Sequence, residues 1–147
     1  MNKMSTKKTL IIADDEPTIR LLVSSILGKN YNMLTAADGQ EVLDIVSQNK
    51  PDLILMDIMM PTMDGYSACA SLKKNPRTAD IPVVMLTGVG HELNKVLAEQ
   101  MGADGYITKP FNSQDLREMV NKVLLEGKEA EHKQAEEALK ELEEFFE

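Results

Sequence analysis

Asp14, Asp15, Glu16, Asp57, Thr87 and Lys109 are the side chains of this sequence whose types suit chemistry on a phosphoryl group. Clustered carboxylates repel one another and bind a hard dication such as Mg²⁺, which takes few protein oxygens and keeps several waters. Such a cation screens the approach of an anionic phosphoryl group to an anionic nucleophile. A lysine offers a compact positive charge to one phosphate oxygen, and a threonine hydroxyl donates a hydrogen bond to another. A carboxylate acting as covalent acceptor gives an acyl phosphate.

These residues lie far apart in the chain, so the fold must gather them. Aliphatic runs at Leu10–Ala13, Asn32–Ala36, Leu53–Met56, Pro82–Leu86 and Gly105–Thr108 alternate with helical patterns. Most of the runs are almost continuously apolar, as strands are when both faces of a parallel sheet are covered. The first helix begins at Pro17, sets Ile19, Leu22, Val23, Ile26 and Leu27 on one face, and ends at Gly28. The second carries Val42, Ile45 and Val46 and stops before Pro51; the third follows Asp64-Gly65 and ends near Asn75-Pro76. A fourth shows Leu93, Val96, Leu97 and Met101 before Gly102. The fifth opens after Pro110 with Asn112 as cap and repeats Leu116, Met119, Val120, Val123 and Leu124.

This alternation describes an α/β fold, an open sheet with helices on both faces. In such folds ligands bind beyond the carboxyl ends of the strands. Asp14-Asp15-Glu16 follow the first strand, Asp57 ends the third, Thr87-Gly88 closes the fourth and Lys109-Pro110 follow the fifth. The chemistry-bearing residues therefore converge on one rim. Asp38-Gly39 and Asp64-Gly65 read as turn and cap signals instead.

Composition narrows the class. With 147 residues, 43% of them apolar, the chain can bury a core. A net charge of −8 argues against a nucleic-acid surface. Cys69 is the only cysteine, which excludes an internal disulfide, and it reads as a small buried hydrophobe. No apolar run approaches the ~20 residues of a membrane helix. The polar N-terminus lacks a signal-peptide core, so the chain reads as cytoplasmic. Residues 1–7 read as a disordered lead, 8–126 as the domain, and 127–147 as a charged helical extension. Residues 128–147 hold eight Glu against three Lys, with Glu129–Lys133 and Glu136–Lys140 at favourable helical spacing. Ala135, Ala138 or Leu139, Leu142 and Phe145 or Phe146 add a short apolar stripe, resembling a coiled-coil linker. That stripe suggests continuation of the fifth helix, packing, or pairing of two copies.

Four blocks carry a family resemblance: Ile12-Ala13-Asp14-Asp15-Glu16-Pro17, Leu55-Met56-Asp57-Ile58-Met59-Met60-Pro61-Thr62-Met63-Asp64-Gly65, Leu86-Thr87-Gly88, and Gly105-Tyr106-Ile107-Thr108-Lys109-Pro110-Phe111. In this order and spacing the chain resembles the receiver domain of two-component response regulators, of the chemotaxis-regulator kind, over about residues 8–126. The resemblance implies a flavodoxin-like, doubly wound sheet of order 2-1-3-4-5. It also implies Asp57 as phosphoacceptor, Asp15 as main metal ligand with Asp14 beside it, and the Met59 backbone carbonyl completing the site for Mg²⁺ or Mn²⁺. Thr87 and Lys109 become the phosphate-sensing pair, Tyr106 the switch aromatic, and Lys109–Pro110 a cis bond. The implied phosphodonor is a histidine kinase. The implied output surface is the fourth helix, fifth strand and fifth helix, including Lys95, Glu99, Tyr106, Glu118 and Lys122.

Two departures stand out. Gly88 replaces the commoner Ala, and the lifetime-tuning positions Met59 and Val89 are both apolar, which suggests slow self-dephosphorylation. Rival functions fail on particular residues. A flavin or dinucleotide fold needs a phosphate-cradling loop where Asp14-Asp15-Glu16 would repel phosphate. A haloacid-dehalogenase-type phosphatase needs an Asp at position 59, which is Met. A degenerate receiver, acting as a phosphorylation-independent interaction module, is the alternative. No DNA-binding helix pair is recognisable, so neither DNA nor membrane is expected as partner.

Overall fold

The structure, a computed structural model, describes residues 7–88, 96 and 99–145. Five strands, β1 (Thr9–Ala13), β2 (Asn32–Ala36), β3 (Leu53–Asp57), β4 (Val83–Thr87) and β5 (Gly105–Thr108), form one sheet of order β2-β1-β3-β4-β5. All neighbouring pairs are parallel. Helices α1 (Pro17–Leu27), α2 (Gly39–Gln48) and α3 (Gly65–Lys74) connect the early strands, and a C-terminal helix spans Ser113–Phe145. Fold class and strand order are those expected. Of the expected fourth helix, residues 96, 99 and 100 are described and are helical. Met101, also expected in it, lies with Gly102 in the turn that follows, while Leu93 and Leu97, with Val89 and Lys95, lie outside the described residues.

Side chains alternate between two cores, which is why the strands read as unbroken apolar runs. Ile11, Ala13, Ile54, Met56, Val83 and Met85 point to one face and pack with Val42, Val46, Ala68, Cys69 and Leu72 of α2 and α3. Leu10, Ile12, Leu53, Leu55, Val84 and Leu86 point to the other, against Val23 and Leu27 of α1 and Leu116, Val120 and Val123 of the C-terminal helix. Each fully buried side chain of this size contributes about 1.5–3 kcal/mol. Cys69 sits inside the first core, where burial pushes its thiol up to about 11.

Local signals start the helices where expected. The Asp38 carboxylate accepts from the Glu41 N–H at 2.9 Å, and Asp64 from Ser67 at 2.7 Å. Asn112 accepts from Asp115 at 2.7 Å. Each bond satisfies one of the orphan N–H groups of a first helical turn. Helix α1 is the exception: Pro17 opens it and Glu16 makes no side-chain cap. The residues before it serve the site instead.

The C-terminal helix runs through the expected junction at 126/127 without a break, over 33 residues. At 1.5 Å per residue it is about 50 Å long. Among its described side chains the last buried one is Val123, and those from Leu125 onward are exposed.

Candidate functional site at the carboxyl ends of the strands

The rim is assembled by strand ends. Asp57 and Thr87 are the last residues of β3 and β4, Asp14 directly follows β1, and Lys109 directly follows β5. One carboxylate oxygen from each of Asp14, Asp15 and Asp57 lies within 4.8 Å of the others. Asp14 is fully buried, Asp57 is 8% exposed and Asp15 faces solvent.

Asp14 is the best-anchored of the three. Its N–H donates to the Ala36 carbonyl at 3.0 Å, and its own carbonyl accepts from Arg20 Nη1 at 2.7 Å. Its Oδ1 accepts from the Glu16 N–H at 2.9 Å, and its Oδ2 from Lys109 Nζ at 2.8 Å. Lys109 Nζ also stands 3.4 Å from Asp57 Oδ1, so one ammonium bridges two buried carboxylates. The Lys109 N–H donates to the Thr87 carbonyl at 2.6 Å, and the Lys109–Pro110 bond is cis.

Electrostatics follow from this crowding. Burial first, then the charge of Asp14, pushes the Asp57 carboxyl up to about 6; Lys109 pulls it partly back and Asp15 adds a smaller push. Burial works against the charge of Lys109, but its hydrogen bond to Asp14 and the charges of Asp57 and Asp14 outweigh that. Its ammonium is held above the ordinary lysine value. A rim with more buried negative than positive charge is one that a dication would relieve, and the donors are the hard oxygens Mg²⁺ prefers. The residues present fit that ion.

Thr87 is buried, and its hydroxyl contacts that of Thr108 at 3.4 Å. Tyr106 is half-buried on β5 and packs against the first core. The Met59 side chain is 74% exposed, in the loop that runs from β3 to α3. That loop is tightly drawn. The Gly65 N–H donates to the Ile58 carbonyl at 2.8 Å, and a Cβ at Gly65 would strike the Asp57 carbonyl. Thr62 takes a left-handed φ of 64°, a conformation that costs a non-glycine residue about 1–2 kcal/mol.

Sequence reasoning missed two participants, Arg20 and Thr108. Arg20 sits one helical turn past the acids, the only signal that could have flagged it. Beside Lys109, Ile19, Leu22, Gly88, Pro110 and Phe111 line a hollow of about 370 Å³.

A parallel sheet of order 2-1-3-4-5 bearing three carboxylates, a threonine and a lysine on its carboxyl rim defines a phosphorylation-type signalling domain rather than a cofactor-binding one. Residues 10–121 match the response regulator receiver domain, and the chain belongs to that family. It is 37% identical over 122 residues to the "Probable transcriptional regulator ycf27" of Guillardia theta, covering 82% of this chain and 47% of that protein. It is 43% identical over 115 residues to the "DNA-binding dual master transcriptional regulator RpaA" of a Synechocystis strain, covering 78% of this chain and 46% of that one. The chain thus spans about half the length of these curated relatives. The crystal structure of the chemotaxis response regulator CheY4 of Vibrio cholerae superposes with a TM-score of 0.76 at 31% identity, covering 80% of this chain and 99% of that one. The chain is therefore a receiver domain of the two-component type. No helix among the described residues is long and apolar enough to cross a membrane.

Proposed function

We propose that Asp57 accepts a phosphoryl group from the phosphohistidine of a histidine kinase, and that the phosphorylated form binds a different partner from the free form. A carboxylate oxygen of Asp57 attacks phosphorus, an O–P bond forms, and the N–P bond to the donor imidazole breaks with its electron pair leaving on nitrogen. Lys109, 3.4 Å from Asp57, supplies positive charge to a phosphoryl oxygen. Thr87, at the end of the neighbouring strand, donates its hydroxyl to another once it gives up Thr108. Asp15, Asp57 and the Met59 carbonyl hold Mg²⁺ or Mn²⁺, with the anchored Asp14 beside them. That ion, when bound, neutralises charge between nucleophile and phosphoryl group.

The single observation that supports this reading is the triad of carboxylates within 4.8 Å beside the Lys109 ammonium. The apolar hollow next to Lys109 offers the donor protein a landing surface. Output runs through the face of β5 and the C-terminal helix, where Tyr106, Glu118 and Lys122 lie, as a population shift between two forms. With apolar Met59 at a lifetime-tuning position, self-dephosphorylation is slow. Residues 8–126 act as the receiver unit in the cytoplasm, and 127–147 as a helical extension through which two copies pair. DNA contact, a property in the name of RpaA, belongs to no residue of this stretch in this reading.

The test is intact mass after incubation with acetyl phosphate and Mg²⁺. One phosphoryl adduct is expected, absent with chelator and absent in Asp57→Asn. An adduct that survives the substitution, or none in the native chain, would instead favour an interaction module that works without phosphorylation.

A further inference from the structure

We infer that Arg20 is a positioning residue for the acidic rim, clamping the turn on which Asp14 and Asp15 ride. Asp14 and Asp15 occupy a junction between a strand and a helix that has no side-chain cap, so ordinary capping does not fix this turn. Arg20 fixes it from inside the helix. Its guanidinium reaches back one turn and donates to the Asp14 carbonyl at 2.7 Å, in a half-buried setting. That carbonyl belongs to the peptide joining the two acids, so its orientation sets where the Asp15 side chain starts. The other three anchors of Asp14 are its N–H on Ala36, its Oδ1 on Glu16 and its Oδ2 on Lys109. Of these, the Oδ1–Glu16 bond closes a turn across this peptide, but Arg20 is the side chain bonded to its carbonyl. Arginine suits the task because its charge persists at any working pH and its fork approaches a carbonyl in plane.

The inference rests on the rim being a Mg²⁺ site, and it makes a prediction opposite in sign to a simple charge argument. A cation beside a metal site repels the metal, so an Arg20 acting only through charge would weaken Mg²⁺ binding, and its removal would tighten it. An Arg20 acting as a clamp strengthens binding, because groups that orient ligands commonly carry about 10–100-fold in metal affinity.

The experiment titrates Mg²⁺ calorimetrically into the native chain, Arg20→Met and Arg20→Lys, and follows amide hydrogen exchange in chelator. Met keeps the apolar stem; Lys keeps the charge and a donor. For Arg20→Met the expected result is about tenfold weaker Mg²⁺ binding. The amides of Asp15 and Glu16 should exchange faster while those of Ile54–Met56 are unchanged, and Arg20→Lys should recover most of both. Unchanged or tighter Mg²⁺ binding by Arg20→Met would overturn the inference. So would exchange that accelerates equally throughout the sheet, which marks general loosening. Failure of the native chain to bind Mg²⁺ or take the adduct would sink the proposed function; the local exchange pattern would still judge the clamp.

Discussion

Acidic residues gather in two regions of this molecule, and burial separates their consequences. At the strand-end rim, Asp14 and Asp57 are almost wholly shielded from water and share one ammonium. Beyond Val123 the described glutamates of the C-terminal helix lie in solvent, among exposed Leu139 and Leu142. Coulomb energies between like charges at a given separation are several-fold larger at the rim, where the effective dielectric is lower. The rim therefore stores electrostatic cost that a bound cation can release. The helix stores little, and its charges keep an extended segment in water.

The largest effect expected from breaking this contrast is at Lys109. Lys109→Met leaves fully buried Asp14 without its ion-pair partner and should cost about 3–5 kcal/mol of unfolding free energy in chelator. Combining it with Asp14→Asn should recover most of that loss; chemical denaturation of the four proteins checks both statements. A neutral Lys109→Met would mean that Asp14 is held by its other hydrogen bonds and not by the ion pair.

Next is Asp57→Asn, which removes a carboxyl whose folded value is about 6 against an ordinary 3.8. The folded state binds this proton more tightly than the unfolded one, so the native contribution to stability is full below about 4 and is lost as pH rises through about 6. The Asn variant should accordingly be more stable than the native chain by about 2 kcal/mol at pH 7 in chelator, with the gain fading by pH 4. Unfolding curves at the two pH values measure it, and a gain independent of pH would point to packing instead.

The smallest effect belongs to the helix. At concentrations too low for two copies to pair, removing residues 128–147 should change unfolding of the remaining domain by less than about 0.5 kcal/mol, because the deleted side chains that are described bury nothing against the sheet. Circular dichroism would report the lost helix, while the denaturation midpoint barely moves. A shift of several degrees would mean that the extension packs.

Much of the fold was legible in the chain because its signals are local. The apolar runs marked all five strands to within a residue; the fully buried β3 and β4 need apolar side chains at almost every position, while the edge strands β2 and β5 keep exposed ones. Asp38, Asp64 and Asn112 announced helix starts through bonds made three residues away. At α1 the local signal is Pro17 itself, while Asp14 and Asp15 precede a helix that neither of them caps in the ordinary way. At residue 127 the composition changes while the helix runs on, because a solvated glycine costs only about 1 kcal/mol there.

The sequence by itself determined which residues carry the chemistry and that each stands at a strand end, because residue type and short-range pattern are properties of chain neighbours. Only the tertiary structure decided that Asp14 is buried while Asp15 faces water. It also decided that Lys109 sits closer to Asp14 than to Asp57, and that Arg20 turns back onto the acidic turn. Those facts depend on distances between segments up to 95 positions apart and on how much water reaches each one. Coulomb forces and desolvation act through space, and no local pattern encodes them.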